Sequence, residues 1–414
     1  MINLQSPNAF GFSAKRLERI KPVMQSYVDN AGYAGIVTML ARRGQVIYFD
    51  KVGWQDRENK VPMGLDAIFR IYSMTKPIIC TALMLLHEEG RFQLADPLAK
   101  FLPAFGKVKV LVNDTSAGWK EVAPIRPITV GDLFTHTAGL TYNFLEDSPV
   151  GEQYRQANLM GDGQSTLQQV IAELARFPLA FQPGSKWHYS MSIDVLAHLI
   201  EVISGQALQD FLQTRFFDPL GMVDTAFQVP ADKRHRLAAM YGHPDIAQNK
   251  FSDILAAWMA GKNGRQEVEA TYPSHNAPHF ARGGHGLFST AADYMRFAQM
   301  LLNRGKLDSV RLLAPKTIDF MHMNHLPAKL LPFEISGIPR AGYGFGLGSR
   351  VLLNVAESGL PGSVGEYGWA GAARTHYWVD PQEEVIGVMM AQFMIGVDFL
   401  DKDFQTLAYQ AMVE

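Results

Sequence analysis

Apolar residues recur at helical spacing between residues 13 and 31. Leu17, Ile20, Met24, Tyr27 and Val28 fall on one face, Ser13 can cap the start and Gly32 can end it. Pro22 predicts a kink in that helix. The pattern then changes to β-favouring runs. Gly35 to Ala41 and Val46 to Val52 read as two strands joined by the turn Arg42-Arg43-Gly44-Gln45. From Ser73 onward the pattern is mostly helical. An apolar approach, Ala67-Ile68-Phe69-Arg70-Ile71-Tyr72, leads past Ser73 into a buried helical run from Ile78 to Leu86. Ser192 to Ser204, stopped by Gly205, reads as a helix, and so does Ala291 to Arg304, capped by Thr290 and closed by Gly305. Strands return in Tyr343 to Val351, Glu366 to Val379 and Glu384 to Gln392, with a turn at Asp380-Pro381-Gln382. A last helix is expected over about 401–413.

Strands at both ends with helices between them predict an α+β fold. The simplest packing is one sheet built from residues 1–72 and 335–414, with a mostly helical domain, 73–334, inserted between them. No internal repeat interrupts this plan.

Bulk properties narrow the function classes. The 414 residues are 47% hydrophobic and 19% charged, and 38 basic against 40 acidic side chains leave a net charge of -2. Near-neutrality predicts no nucleic-acid or membrane-surface partner. The basic run Lys233-Arg234-His235-Arg236 reads as a solvated turn. The single cysteine, Cys80, excludes an intrachain disulfide and falls in the apolar run, as a core residue would. No basic-then-apolar stretch opens the chain, so no signal peptide is visible and a cytoplasmic location is expected. His275 and His279 are four apart, but Pro278 between them argues against a helical metal pair. No metal and no other cofactor is expected.

Candidate chemistry begins at Ser73-Met74-Thr75-Lys76. A serine and a lysine three apart share one helix face, so the amine can reach the hydroxyl and take its proton during attack on an acyl group. No other serine has lysine at +3. The apolar flanks place Ser73 at a helix N-terminus, where free N–H groups favour developing negative charge. Pro77 fits the first turn and not much deeper.

Two further segments join it: Trp187-His188-Tyr189-Ser190-Met191, just ahead of a helix, and Gly368-Trp369-Ala370-Gly371-Ala372-Ala373, within a strand. With Ser73-Met74-Thr75-Lys76 they resemble the three motifs of serine β-lactamases and penicillin-binding proteins, and more closely those of the family VIII carboxylesterases. Leu133 to Leu140, Phe181-Gln182-Pro183-Gly184, Gly286 to Thr290 with Asp293, and Tyr343 to Gly348 extend the resemblance to about residues 10–410. It implies a β-lactamase/DD-peptidase-like fold, an antiparallel sheet flanked by helices, with the active site where the helical domain meets the sheet. It implies that Ser73 is the nucleophile, that Lys76 shares the proton and that Tyr189 is the general base. Isolated tyrosine and lysine titrate at about 10, so each needs the other, or burial, to work near neutrality. The backbone N–H groups of Ser73 and Ala372 are the implied oxyanion hole. Trp369, Gly371 and Met191 are placed against the substrate.

Two departures decide the substrate class. Met191 stands where lactamases usually have asparagine, and Trp369-Ala370-Gly371 replaces Lys-Thr-Gly. The lost lysine carries positive charge near a substrate carboxylate, and tryptophan gives an apolar wall instead. The expected substrates are therefore small-molecule esters of short to medium acyl chains. The alternatives are a β-lactamase or D-amino-acid peptidase acting on amides, an acyltransferase on the same fold, and a catalytically silent binding protein. A nucleophile-elbow hydrolase is disfavoured because no G-x-S-x-G occurs. His136 reads as a structural hydrogen-bonder. Gly283, Gly284 and Gly286 around His285 read equally as a tight turn or as a loop that approaches the substrate.

Overall fold

The computed structural model describes residues 2–114, 118–242, 246, 249–261, 264–266, 279–396 and 398–414. His275 and Pro278 lie outside the described residues. The central sheet uses β1 (Gly35–Arg42), β2 (Gln45–Asp56), β3 (Val61–Pro62), β4 (Tyr343–Phe345), β5 (Arg350–Leu352), β6 (Tyr367–Gly371), β7 (Thr375–Asp380) and β8 (Val385–Ala391). Its order is β4-β5-β6-β7-β8-β1-β2-β3, antiparallel throughout. The sheet thus joins strands from both parts of the chain.

Alternation along β1 explains why the sheet is covered on both faces. Val37, Met39 and Ala41 join one core, together with Tyr377, Val379, Ile386 and Val388. Ile36 and Leu40 join the other, with Trp378, Val385 and Met389. The helices α1 (Ala14–Leu17), α2 (Ile20–Asn30) and α6 (Leu400–Tyr409) contribute Leu17, Met24 and Phe404 to that second core. The first core takes in α3 (Thr75–Glu88), α4 (Ser192–Ser204) and α5 (Ala291–Leu302). Gly387 lets the Trp378 ring lie flat on β8: a Cβ there would sit 2.1 Å from the ring.

Several expected elements are divided. The first helix breaks at Glu18–Arg19, and Pro22 lies in the first turn of α2, where its missing N–H costs nothing, so it starts a helix rather than kinking one. The single strand expected over Tyr343–Val351 is the hairpin β4–β5. The one expected over Glu366–Val379 is the hairpin β6–β7, turned at Ala372-Ala373-Arg374 with Arg374 at φ 64°. A small hairpin, Val110–Asp114 with Gly118–Val122, interrupts the stretch read as helical. No helix among the described residues is long and apolar enough to cross a membrane.

Candidate active site

Ser73 occupies a single 3₁₀ turn, Tyr72–Met74, that runs directly into α3. Tyr72 takes φ 43°, a left-handed value that costs a side-chain-bearing residue free energy. The turn is held by Met74 N–H on Ile71 O at 3.0 Å and by Tyr294 OH on Met74 O at 2.9 Å. Pro77 is the third residue of α3, inside the first turn. Ser73 is left half-buried on the wall of a cavity of about 450 Å³.

Lys76 is 1% exposed. Its Nζ donates to Ser73 Oγ at 3.0 Å and to Gly284 O at 2.7 Å. It also lies 4.6 Å and 5.2 Å from the ring centroids of Tyr189 and Tyr142. A buried ammonium is tolerated only with such partners, here two acceptors and two π-faces.

Gly284 is a contributor that the sequence reading left undecided. The loop from Arg282 to Gly286 is pinned by Arg282 Nη2, which donates to Asp162 O at 2.7 Å and Ser165 O at 2.9 Å. Gly283 lies against α4, where a Cβ would meet Ala197 at 2.4 Å. The Gly284 peptide then bridges two charges: its N–H donates to Asp194 Oδ1 at 2.9 Å while its carbonyl holds Lys76. Burial pushes the Asp194 carboxyl up, against the opposing pull of the Gly284 N–H and Lys76. Glycines spaced around a histidine give no hint of which peptide carries this duty.

Tyr189 precedes α4 and is 7% exposed. It is packed among the rings of His136, Tyr142 and Trp369, with centroids 5.0, 5.1 and 5.7 Å away. His136 Nδ1 pairs with Ser190 Oγ at 3.2 Å, and burial holds its pKa well below the usual histidine value. Trp369, on β6, does more than form a wall: its Nε1–H donates to the Tyr189 hydroxyl at 3.3 Å. A donor at that oxygen stabilises negative charge that develops there during a reaction.

Gly371 ends β6 hard against the nucleophile's turn. A Cβ would stand 2.2 Å from Thr375 Oγ1 and 2.4 Å from Ile71 O, so only glycine allows this approach. Thr375 Oγ1 also donates to Ile71 O at 3.2 Å, tying the hairpin to the turn. Ala372 follows at the cavity wall.

Ser73, Tyr189, Trp369, Gly371 and Ala372 therefore line one cavity, with Lys76 behind Ser73. Met191 does not line it. It is fully buried at the start of α4, where its N–H bonds to Thr141 O at 3.2 Å. The expectation that Met191 touches substrate is corrected: an apolar side chain at this position is absorbed by the core.

Comparison with known proteins identifies the family. Residues 20–411 match the family described as Beta-lactamase. Protein Rv1367c of Mycobacterium tuberculosis (strain ATCC 25618 / H37Rv) is 35% identical over 364 residues, 87% of this chain and 86% of that protein. Esterase EstB of Burkholderia gladioli is 29% identical over 384 residues, 90% of each chain. The solved structure of EstCE1, described as a hydrolase with promiscuous acyltransferase activity, superposes with TM-score 0.78 at 26% identity, covering 95% of this chain and 99% of that one. The chain belongs to the β-lactamase family, and within the serine β-lactamase and penicillin-binding-protein superfamily it groups with the family VIII carboxylesterases.

Proposed function

We propose that this protein is a carboxylesterase that works through an acyl-enzyme on Ser73. The observation that carries the reading is Lys76 Nζ at 3.0 Å from Ser73 Oγ and 4.6 Å from the Tyr189 ring, beside an apolar-walled cavity. Ser73 Oγ attacks the ester carbonyl as Tyr189 takes the hydroxyl proton. The Lys76 amine and the Trp369 N–H stabilise the negative charge that passes through this step. The backbone N–H groups of Ser73 and Ala372 hold the tetrahedral oxyanion. Tyr189 returns the proton to the departing alkoxide, and water, deprotonated by the same group, releases the acid and restores Ser73.

Tyr142, Phe144, Met160, Ile246, Phe251 and Phe333 make one side of the cavity apolar. This supports short to medium acyl chains. Each added methylene is worth about 0.8 kcal/mol of burial, or roughly fourfold in kcat/KM, until the arm is full. Trp369 in place of lysine speaks against lactam amides. A second reading, transfer of the acyl group to an alcohol, draws on the likeness to EstCE1, whose description includes acyltransferase activity. Rates on p-nitrophenyl esters of rising chain length, beside nitrocefin, test the proposal. A fluorophosphonate adduct is expected on the Ser73 peptide. A label on another serine with Ser73 unmodified, or faster nitrocefin than ester cleavage, overturns it.

A further inference from the structure

The cavity that reaches Ser73 has a second, polar arm. β5 pairs with β6 only at Tyr367 and Gly368, so the outer edge of Trp369, Ala370 and Gly371 has no partner in β5. The cavity passes over this edge to the α6 side of the sheet. There Arg340, Arg350, Arg374, His376, Asp398 and Asp401 line it. The register assigns the faces: Arg350 stands opposite Gly368 and His376 opposite Ala370, positions that alternate with Trp369.

The charges of this arm do not cancel. Arg374 engages both acids, through Nη2 to Asp398 Oδ1 and to Asp401 Oδ1 at 3.2 Å. Arg340 is half-buried; among the described residues its guanidinium has no hydrogen bond or close ion pair, and only the more distant charge of Asp401 favours it. Arg350 forms a loose ion pair with Glu366, Nη2 to Oε1 at 3.6 Å, and meets the Tyr343 side chain and His376 Nε2, the latter at 3.3 Å. Arginine has only donors, so His376 Nε2 accepts and the ring proton rests on Nδ1. That Nδ1 is buried without a hydrogen-bond partner among the described residues. Burial holds the ring neutral, with its pKa pushed down to about 3.

Two guanidinium groups thus line a single space, with the His376 ring accepting from Arg350 beside them. Planar guanidinium donors suit a two-oxygen anion. We propose that this arm is a carboxylate-binding subsite, and that the ester cleaved at Ser73 carries a carboxylate away from its scissile bond, held by Arg340 and Arg350. The assignment rests on the esterase reading of Ser73. It restores, from loop and strand arginines, the positive charge that Trp369 removes from β6.

The test compares mono-p-nitrophenyl glutarate with p-nitrophenyl valerate, and 4-carboxyphenyl butyrate with phenyl butyrate, at fixed ionic strength. One anionic ester should exceed its neutral counterpart in kcat/KM by about tenfold or more, the scale of one charge-assisted hydrogen bond. That ratio should fall about tenfold in Arg340→Gln and less in Arg340→Lys, with Arg350→Gln as the second variant. Ratios near one in the wild type, with the neutral esters still cleaved, overturn the subsite and leave the esterase standing. If none of the four esters is cleaved, the esterase reading fails and this assignment fails with it. Inorganic phosphate that raises the Tm of the wild type but not of Arg340→Gln, without any preference for anionic esters, would show a free-anion site and overturn the substrate assignment.

Discussion

Trp369→Phe isolates one hydrogen bond. Phenylalanine keeps an aromatic wall against Phe345, 5.2 Å away between centroids, but removes the Nε1–H that reaches the Tyr189 hydroxyl at 3.3 Å. A hydrogen bond to a charged acceptor is worth about 1.5–3 kcal/mol, and one this long belongs at the lower end. If Tyr189 is the base, losing this bond removes about 1.4 kcal/mol of stabilisation of the charge its oxygen carries during proton transfer. The rate at neutral pH should therefore fall about tenfold, in kcat rather than in KM. The assay is hydrolysis of p-nitrophenyl butyrate from pH 5 to 10, with KM and kcat resolved at each point. A variant that keeps kcat within twofold and raises only KM would show Trp369 to be a passive wall. It would also remove the argument for Tyr189 as proton acceptor.

Lys76→Ala and Tyr189→Phe should each lower kcat by about three orders of magnitude or more, with the double variant little worse than either, because they serve one proton transfer. Full additivity in that cycle would separate their roles. Gly371→Ala forces a Cβ to 2.4 Å from Ile71 O, a backbone atom, so it should cost about 1–3 kcal/mol of stability and slow acylation; an unchanged urea midpoint and kcat would refute the close-approach argument. Burial raises the Glu366 carboxyl to about 7, and Arg350 only partly opposes this. A raised carboxyl pKa means stability that is full below the unfolded value and lost as pH climbs through the folded one. Glu366→Gln should therefore gain on the wild type by up to about 3 kcal/mol between pH 5 and pH 8 in urea melts, whereas a gap independent of pH would contradict the assignment.

What the sequence made legible was local. Ser192–Ser204 could be bounded because Gly205 takes the left-handed conformation, φ 73°, that its composition announces. Ser73 and Lys76 could be paired because one helix turn separates them. The β6–β7 turn could not be read, since Ala372-Ala373-Arg374 has no glycine or proline and bends instead through a left-handed arginine. Met191 was misplaced because its neighbour's role says nothing about which way the next side chain but one points. The Gly284 carbonyl was invisible, as a backbone acceptor leaves no residue signature. The polar arm draws on Arg350 and His376, brought together by strand register, and on Arg340 from a loop, none of which any spacing along the chain reveals.

The order of strands in the sheet has a kinetic consequence. β1, Gly35–Arg42, is buried on both faces and finds β2 at once through a tight turn. Its other edge waits for Val385–Ala391, the last strand of this sheet in chain order. During synthesis at about 5–20 residues per second, the intervening chain takes tens of seconds to emerge. Until then Ile36 to Ala41 present an apolar, unpaired edge, the kind that recruits other chains. Refolding yield should fall with protein concentration for this reason. A chaperone that shields the N-terminal hairpin should raise the yield of active enzyme more than one that acts after release. The closing of the sheet by β8 is then the event that commits the chain to its native form.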